Sequence, residues 1–244
     1  MCKMLLICSS IVGYLYAVYA LPPPSYLTPC SLSDPKFNEC ALKSGKAGMT
    51  MIIQGDKKYN LPSLNPFKLD YVETEAGFMK IKLYKPELHG ATKTELKEVY
   101  YDPKTKRMGL SVLFNEESLV GNYDISGKIL ILPIEGNGDL NITVYNAIFT
   151  YEFDLIKEMK NGVEYAGLKN DKLDMNLDKI YINLDNLFNG DKLLGDNINK
   201  FLNENWKDAL NEAGAPIIEV LKSICFNVLS TLFLKVPFNE LFLP

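Results

Sequence analysis

The sequence predicts an α+β fold in which a highly curved, mostly antiparallel sheet wraps a long C-terminal helix. Two patterns support this prediction. Apolar residues recur at every second position from Phe67 to Leu184, which is typical of antiparallel strands with one buried face. They recur at every third or fourth position from Asp196 to about Leu234, which is typical of a helix that buries one face.

The length of this helix predicts the shape of the molecule. At about 1.5 Å per residue it would be about 58 Å long, whereas a sphere made from this chain would be only about 45 Å across. Beyond Gly214 the helix is apolar on almost every side and needs a cover, which only the sheet can provide. We therefore expect an elongated domain with an internal apolar cavity between helix and sheet.

The first 20 residues have the pattern of a secretory signal peptide. Lys3 gives a basic start, Met4–Tyr16 is mostly apolar, and Val18 and Ala20 are the small residues that precede a cleavage site. The apolar run is short for a membrane span and contains two serines. We therefore expect residues 1–20 to be a signal peptide and residues 21–244 to form one secreted, extracellular domain.

The composition excludes several classes of function. The chain has 244 residues and a formal net charge of −4, which provides no basic surface for nucleic acid. Arg107 is the only arginine, and His89 is the only histidine, so a site with several histidines is impossible. We expect no nucleic-acid partner, no cofactor and no metal.

Removal of the signal peptide would leave three cysteines. In an oxidising compartment two of them should pair, and Cys30 and Cys40 flank an Asp-Pro turn and lie close in the chain. Closing a loop of this size contributes roughly 2–3 kcal/mol. Cys225 lies within the apolar C-terminal helix, and we expect it to be a buried thiol.

A short helix is predicted from Pro35 to about Gln54. Its Gly45 and Gly48 each cost about 1 kcal/mol relative to alanine, which indicates a marginal helix that could open the cavity. The alternative is a helix that simply packs shut. The residues expected to face inward are Phe37, Ala41 and either Met49 or Ile52.

The sheet supplies the remaining predicted wall of the cavity. We expect strands of near ten residues, separated by turns at Lys85-Pro86, Tyr101-Asp102-Pro103, Ser126-Gly127, Gly136-Asn137-Gly138, Asn161-Gly162 and Asn170-Asp171. The alternating pattern places eight strand positions on the inner face, each of which either contacts ligand or only packs in the core. They are Met79, Ile81, Leu83, Leu110, Val112, Phe114, Ile142 and Val144.

The C-terminal helix is predicted to begin at Asp196, to bend at Gly214-Ala215-Pro216 and to end before Pro237. Its apolar stripe places Trp206, Ile217 and Ile224 toward the sheet. Three tyrosines, which could also be packing residues, are candidates to offer a hydroxyl group to a ligand. They are Tyr123, Tyr145 and Tyr151.

Two further residues invite a functional interpretation. Asn141 begins the only Asn-x-Thr/Ser glycosylation sequence, and it should face outward if Ile142 faces inward. His89 is the only candidate for a histidine base, but the chain has no G-x-S-x-G, H-E-x-x-H or C-x-x-C motif. We therefore do not expect an enzyme.

In its order of motifs the chain resembles the insect takeout and juvenile-hormone-binding proteins, which belong to the superfamily of tubular lipid-binding domains. The resemblance covers the whole chain after the signal peptide. Its motifs are Pro29-Cys30, Asp34-Pro35-Lys36-Phe37-Asn38-Glu39-Cys40, Leu61-Pro62-Ser63-Leu64-Asn65-Pro66, His89-Gly90, Gly127-Lys128-Ile129-Leu130-Ile131-Leu132-Pro133-Ile134, Asp185-Asn186-Leu187-Phe188-Asn189-Gly190, Leu202-Asn203-Glu204-Asn205-Trp206 and Val236-Pro237-Phe238-Asn239-Glu240-Leu241-Phe242.

The resemblance implies a secreted carrier of a hydrophobic small molecule, such as a terpenoid hormone, a fatty acid or a similar lipid. Hormone carriers of Lepidoptera in this family carry a second disulfide between sheet and last helix, whereas this chain has Cys225 and no cysteine in the predicted sheet. The chain is therefore more similar to the takeout branch. We expect a monomer without stable membrane insertion. The alternative is a secreted module that contacts a receptor or a membrane through an exposed apolar patch, with Phe238–Pro244 as the candidate segment.

Overall fold

The structure is a computed structural model that describes residues 20–244, so the predicted signal peptide lies almost wholly outside the described residues. Helices and strands follow the predicted order. The helices are α1 Phe37–Gln54, α2 Lys192–Glu204, α3 Trp206–Phe233 and α4 Phe238–Leu241. The strands are β1 Cys30–Ser31, β2 Phe67–Lys68, β3 Tyr71–Ala76, β4 Met79–His89, β5 Thr94–Asp102, β6 Arg107–Ile129, β7 Leu132–Lys160, β8 Val163–Asn176, β9 Lys179–Leu184 and β10 Phe242–Leu243.

One long hairpin organises the main sheet. Strands β6 and β7 pair antiparallel from Arg107–Asp154 to Ile129–Leu132. Because β7 has 29 residues, it would be about 95 Å long if straight, so the hairpin must curve. Strands β4 and β5 share the free side of β6, and β8 and β9 share the free side of β7. The sheet is open, and the predicted α+β class is confirmed.

This pairing divides the molecule into two ends. At the disulfide end, β5 and β8 flank the start of β6 and the second half of β7. At the hairpin end, β4 and β9 flank the second half of β6 and the start of β7, and β3 pairs with the outer side of β4. Each end has its own hydrophobic core.

The core of the disulfide end is aromatic. Phe233 near the end of α3 packs edge-on against Phe153 of β7 and against Phe242, with ring centroids 6.2 and 5.8 Å apart. The disulfide Cys30–Cys40 joins β1 to α1, and β1 pairs in parallel with β10. Both termini of the domain are therefore fixed at this end.

Helix α1 spans Phe37–Gln54, as predicted, but its glycines have a different role. A Cβ atom on Gly45 would lie 2.6 Å from Leu96 Cδ2, and one on Gly48 would lie 2.5 Å from Leu27 Cδ2. The glycines let the helix approach β5 and the N-terminal segment closely. Close packing at Gly45 and Gly48 thus gives these glycines a structural role, and the marginal stability of the helix remains a prediction.

The C-terminal helix is divided at Asn205, and not bent only at Pro216 as predicted. Asn205 has φ −113° and ψ 31°, outside the helical range, and its side-chain amide donates to the Phe201 carbonyl at 2.9 Å. Pro216 lies inside the continuous helix α3. The first helix also begins earlier than Asp196, because the Asp191 carboxylate caps it by accepting from the Leu194 N–H at 3.1 Å.

Two asparagines attach α2 to the free edge of β9. Asn199 accepts from the Leu184 N–H and donates to the Leu184 carbonyl, at 3.0 and 2.9 Å. Asn203 makes the same pair of bonds with Ile182, at 2.8 and 2.7 Å. The helix therefore covers a strand edge that would otherwise offer unpaired backbone groups.

Most of the predicted turns lie inside strands, because β6 and β7 are more than twice the expected length. The turns at Tyr101-Asp102-Pro103 and Asn161-Gly162 exist. Lys85-Pro86 and Asn170-Asp171 are instead irregularities within β4 and β8. Gly127 has φ 132°, and a Cβ there would lie 2.0 Å from the Phe78 carbonyl oxygen, so it marks a close approach and not a turn.

Between the two ends the sheet changes the face that it presents inward. We call this region the waist and define it as residues 114–117 of β6 and 144–147 of β7. On β6 the core residues have even numbers before the waist, as Leu110 does, and odd numbers after it, as Leu119 does. On β7 the numbers likewise change from even to odd, from Ile142 to Phe149. Asn146 has a positive φ of 50°, which is typical of an irregularity that shifts the alternation by one residue.

Candidate functional site

The inner face of the waist carries apolar residues that belong to neither core. Phe114 and Val144 have the inward phase of their strands, and the Phe114 ring lies 4.9 Å from that of Phe149. Val112, Phe114 and Val144 are only half-buried. None of the three packs against either core. These side chains therefore retain accessible surface at this level.

Helix α3 shows the same incomplete burial. By length and composition it could cross a membrane, but in the structure it lies along the sheet with most contacts to β8. Only 11% of the residues in its most apolar 18-residue window are buried. Apolar side chains of this helix thus retain accessible surface along its length.

The face that α3 packs against the disulfide-end core differs from the predicted one. Ile218, Leu221 and Cys225 contact that core, whereas Ile217 is exposed and Ile224 is half-buried outside it. Ile217 and Ile224 therefore do not belong to the face that packs against this core, although the predicted face is still buried at Ala209. Trp206 is buried at the start of α3, as predicted.

The inner strand positions fall into three groups. Met79 is fully buried, and Ile81, Leu83 and Ile142 pack around the same hairpin-end core. Leu110 packs at the disulfide end. The candidates that remain for ligand contact are Phe114 and Val144 at the waist and Val112 beside it.

The three candidate tyrosines do not offer free hydroxyl groups to the interior. Tyr123 donates to the Asp185 carbonyl at 2.7 Å, and burial raises its pKa to about 12. Tyr151 donates to Asp171 Oδ2 at 2.9 Å, and burial and this bond raise its pKa. Tyr145 is exposed, because it alternates outward from Val144. The prediction that Tyr145 faces the ligand was therefore wrong.

Glu117 is the polar group that sequence reasoning missed. It lies at the waist, opposite Val144 in register, and has the same phase as the inward Leu119. Only 9% of the residue is exposed, and its Oε2 has no hydrogen-bond partner among the described residues. Desolvation raises the pKa of the carboxyl group to about 8. A carboxyl of this kind is neutral near pH 7 and can donate a hydrogen bond.

A signal for Glu117 exists in the sequence. Asn115-Glu116-Glu117 interrupts a strand that otherwise alternates apolar and polar residues. Continued alternation from Phe114 would place Glu116 inward and Glu117 outward. Only the phase change at the waist reverses this order, and that change depends on the pairing of β6 with β7.

The candidate opening helix α1 contributes mostly packing residues. Phe37 is buried between Tyr101 and Phe242, with ring centroids 5.7 and 6.5 Å away, and Ala41 packs against the same core. Met49 and Ile52 are half-buried, and the buried residue of the last turn is Ile53.

Other candidate residues lie apart from the waist. His89 Nε2 lies 3.0 Å from Glu87 Oε2, and Glu87 also pairs with Lys68, so His89 belongs to a surface ion-pair group. Asn141 is exposed on the outer face, as expected if Ile142 is inward. Residues 20–244 contain no group of three or more His, Cys, Asp or Glu side chains placed to hold a metal.

Cysteine positions agree with the predicted bridge. Cys30 and Cys40 form a disulfide, and Cys225 is the free cysteine of the described chain. Burial raises the pKa of the Cys225 thiol to about 11, so it is an unreactive thiol at neutral pH.

An open, curved sheet that follows a long apolar helix, with half-buried apolar side chains on its inner face, defines the class of this protein. A family model described as haemolymph juvenile hormone binding protein (JHBP) matches residues 4–243. The chain therefore belongs to the haemolymph juvenile hormone binding protein family, which confirms the resemblance seen in its motifs.

Individual relatives agree with this assignment. The chain is 25% identical over 232 residues to the circadian clock-controlled protein daywake of Drosophila melanogaster, covering 90% of this chain and 88% of that protein. It has the same identity and coverage with daywake of Drosophila yakuba. The crystal structure of Takeout 1 from Epiphyas postvittana superposes with a TM-score of 0.80 at 25% identity, covering 88% of this chain and 99% of that chain.

Proposed function

We propose that this protein is a secreted, non-enzymatic carrier that binds a hydrophobic small molecule between α3 and the inner face of the sheet. The observation that carries the proposal is the waist, where inward apolar side chains from β6 and β7 are only half-buried between two packed cores. Membership of a family named for hormone binding in haemolymph supports it.

Burial of hydrocarbon supplies the affinity in this proposal. Each Å² of apolar surface removed from water contributes about 25 cal/mol, and a ligand at the waist would cover Val112, Phe114 and Val144 as well as its own surface. The ligand classes that fit are a terpenoid hormone, a fatty acid or a similar lipid. The protein would act as a monomer without cofactor, and the disulfide is consistent with an extracellular location.

The test is native mass spectrometry of the purified full-length product before and after lipid extraction. We expect an apolar molecule to co-purify and the extracted protein to rebind members of a lipid panel at one-to-one stoichiometry. A circular dichroism spectrum that is unchanged after extraction is the control for folding. Absence of any bound molecule, together with no binding of the panel, would contradict the proposal.

A second candidate function is contact with a membrane surface, because two apolar side chains are almost fully exposed at the hairpin end. Phe78 between β3 and β4 is 84% exposed, and Ile131 between β6 and β7 is 85% exposed. The tail Phe238–Pro244 does not form such a patch, since Phe238 and Phe242 are buried. Flotation with phosphatidylcholine vesicles, compared with an F78S/I131S variant, tests this candidate.

A further inference from the structure

We propose that Glu117 is the polar anchor of the ligand site, and that its carboxyl group donates a hydrogen bond to an uncharged acceptor oxygen on an otherwise apolar ligand. A ketone or ester carbonyl on a long hydrocarbon chain is the chemistry that fits. This inference rests on the proposed carrier function and specifies the head group of its ligand.

The position of Glu117 places its carboxyl group among the half-buried apolar residues of the waist. Its register partner is Val144, and Phe114 is the preceding inward residue of the same strand. On the other side the neighbouring strand ends at His89 opposite Ser118, so Gly90 follows beside Glu117. A Cβ on Gly90 would lie only 2.8 Å from Glu117 Oε2. Glycine at this position thus leaves room for the carboxyl group.

Nothing in the described chain forms a hydrogen bond with one oxygen of this carboxyl group. Only 9% of the residue is exposed. Its Oε2 atom is inaccessible to water and has no hydrogen-bond partner. A buried polar atom without a partner carries an energetic penalty, and native proteins contain few of them. An acceptor oxygen on a ligand at the waist, with the carboxyl group turned toward it, would supply the missing hydrogen bond.

The charge state of Glu117 decides which head group fits. Desolvation is the single cause that raises its pKa to about 8, so no neighbouring cation compensates a carboxylate. At neutral pH the group is therefore an uncharged O–H donor. A carbonyl or ether oxygen can accept this bond, whereas a hydrocarbon cannot.

The charged groups on the surrounding elements do not contribute to the raised pKa of Glu117, which desolvation alone explains. On β4, His89 pairs with Glu87, and after that strand Lys93 Nζ lies 4.0 Å from Glu116 Oε2. On β7, Tyr145 points outward. On α3, Glu219 and Lys222 pair with each other at 2.6 Å. Each of these side chains has a partner of its own or points outward, so Glu117 is the group that links ligand binding to pH near 8.

The experiment measures binding of four probes to the delipidated full-length protein, by displacement of a fluorescent apolar dye. The probes are methyl palmitate, 2-heptadecanone, hexadecylamine and hexadecane. We expect the ester and the ketone to bind about tenfold more tightly than hexadecane, which corresponds to one buried hydrogen bond.

Two variants separate hydrogen bonding from shape. E117Q keeps a neutral donor of similar size and should keep the preference for the ester and the ketone. E117L removes the donor and should lower their affinity about tenfold without weakening hexadecane. Thermal unfolding of both variants provides the folding control. Raising the pH from about 6 to about 9 should weaken ester binding to the wild type and leave E117Q unchanged.

The outcomes distinguish this inference from the carrier proposal. Equal affinity for hexadecane and the ester, retained preference in E117L, or strongest binding of hexadecylamine would each overturn the inference while leaving a carrier. If no probe binds the wild type, both the carrier proposal and the inference are overturned.

Discussion

The two ends of the molecule are stabilised in different ways, and the waist between them has neither set of stabilising contacts. The disulfide end combines an aromatic core with a covalent bridge and the paired strands β1 and β10. The hairpin end has an aliphatic core and a helix held to a strand edge by two asparagines. At the waist, apolar side chains face inward without a complete partner. The comparison indicates that the inner side chains are well packed at the two ends and less well packed at the waist.

The largest effect is expected from the aromatic core of the disulfide end. Phe153→Ala would leave a cavity between Phe233 and Tyr151 and should lower the free energy of unfolding by about 3–5 kcal/mol. Chemical denaturation measures this change. Ile148→Ala on the outer face, where the side chain is 40% exposed, is the matched control and should cost less than about 1 kcal/mol. Equal losses would contradict the division into packed ends.

The buried carboxyl group at the waist should make the unfolding free energy depend on pH. The pKa of Glu117 is raised from 4.5 in the unfolded chain to about 8 in the fold. Folding therefore favours the protonated form, and stability is lost as the pH rises from about 4.5 through about 8. Glu117→Gln lacks this loss and should exceed the wild type in unfolding free energy by about 2–4 kcal/mol at pH near 9. Parallel pH profiles for wild type and variant would show that Glu117 is not buried as described.

The hairpin end is expected to respond to loss of its helix-to-strand bonds. Asn203→Ala removes hydrogen bonds to the backbone of Ile182 and should destabilise the protein by about 1–3 kcal/mol. Hydrogen exchange should also accelerate at the amides of β9. Lys200→Ala, on the exposed side of the same helix, is the control with an effect below about 0.5 kcal/mol.

The smallest effect is expected at the tips of the hairpin end. Phe78→Ser and Ile131→Ser remove side chains that are almost fully exposed, so the unfolding free energy should stay within about 0.5 kcal/mol of the wild type. Thermal unfolding checks this expectation. A loss of several kcal/mol would mean that these side chains are packed in solution.

Much of the fold could be predicted because its patterns are long and regular. The alternation between Phe67 and Leu184 and the long apolar helix follow from local periodicity, and the first helix was predicted from Pro35 at its start. The division at Asn205 could not be predicted, since it depends on side-chain bonds and on the contact of α2 with β9.

The candidate site could be predicted only in part, for a physical reason. Alternation placed Val112, Phe114 and Val144 inward, but it could not show that the phase shifts at Asn146, where φ is positive. That shift turns Glu117 inward, while Tyr145 keeps the outward phase of its strand. The packing role of the α1 glycines could not be predicted, because their close approach to Leu96 and Leu27 depends on tertiary contacts.

The central claim is that an apolar ligand occupies the waist, and filling the waist tests it most directly. Val144→Phe adds volume to the inner face, whereas Ile148→Phe adds it to the outer face at an exposed position. Dye displacement by methyl palmitate, measured on both folded variants, should show at least about tenfold weaker binding for Val144→Phe and wild-type binding for Ile148→Phe. Unchanged binding by a folded Val144→Phe protein would contradict the account.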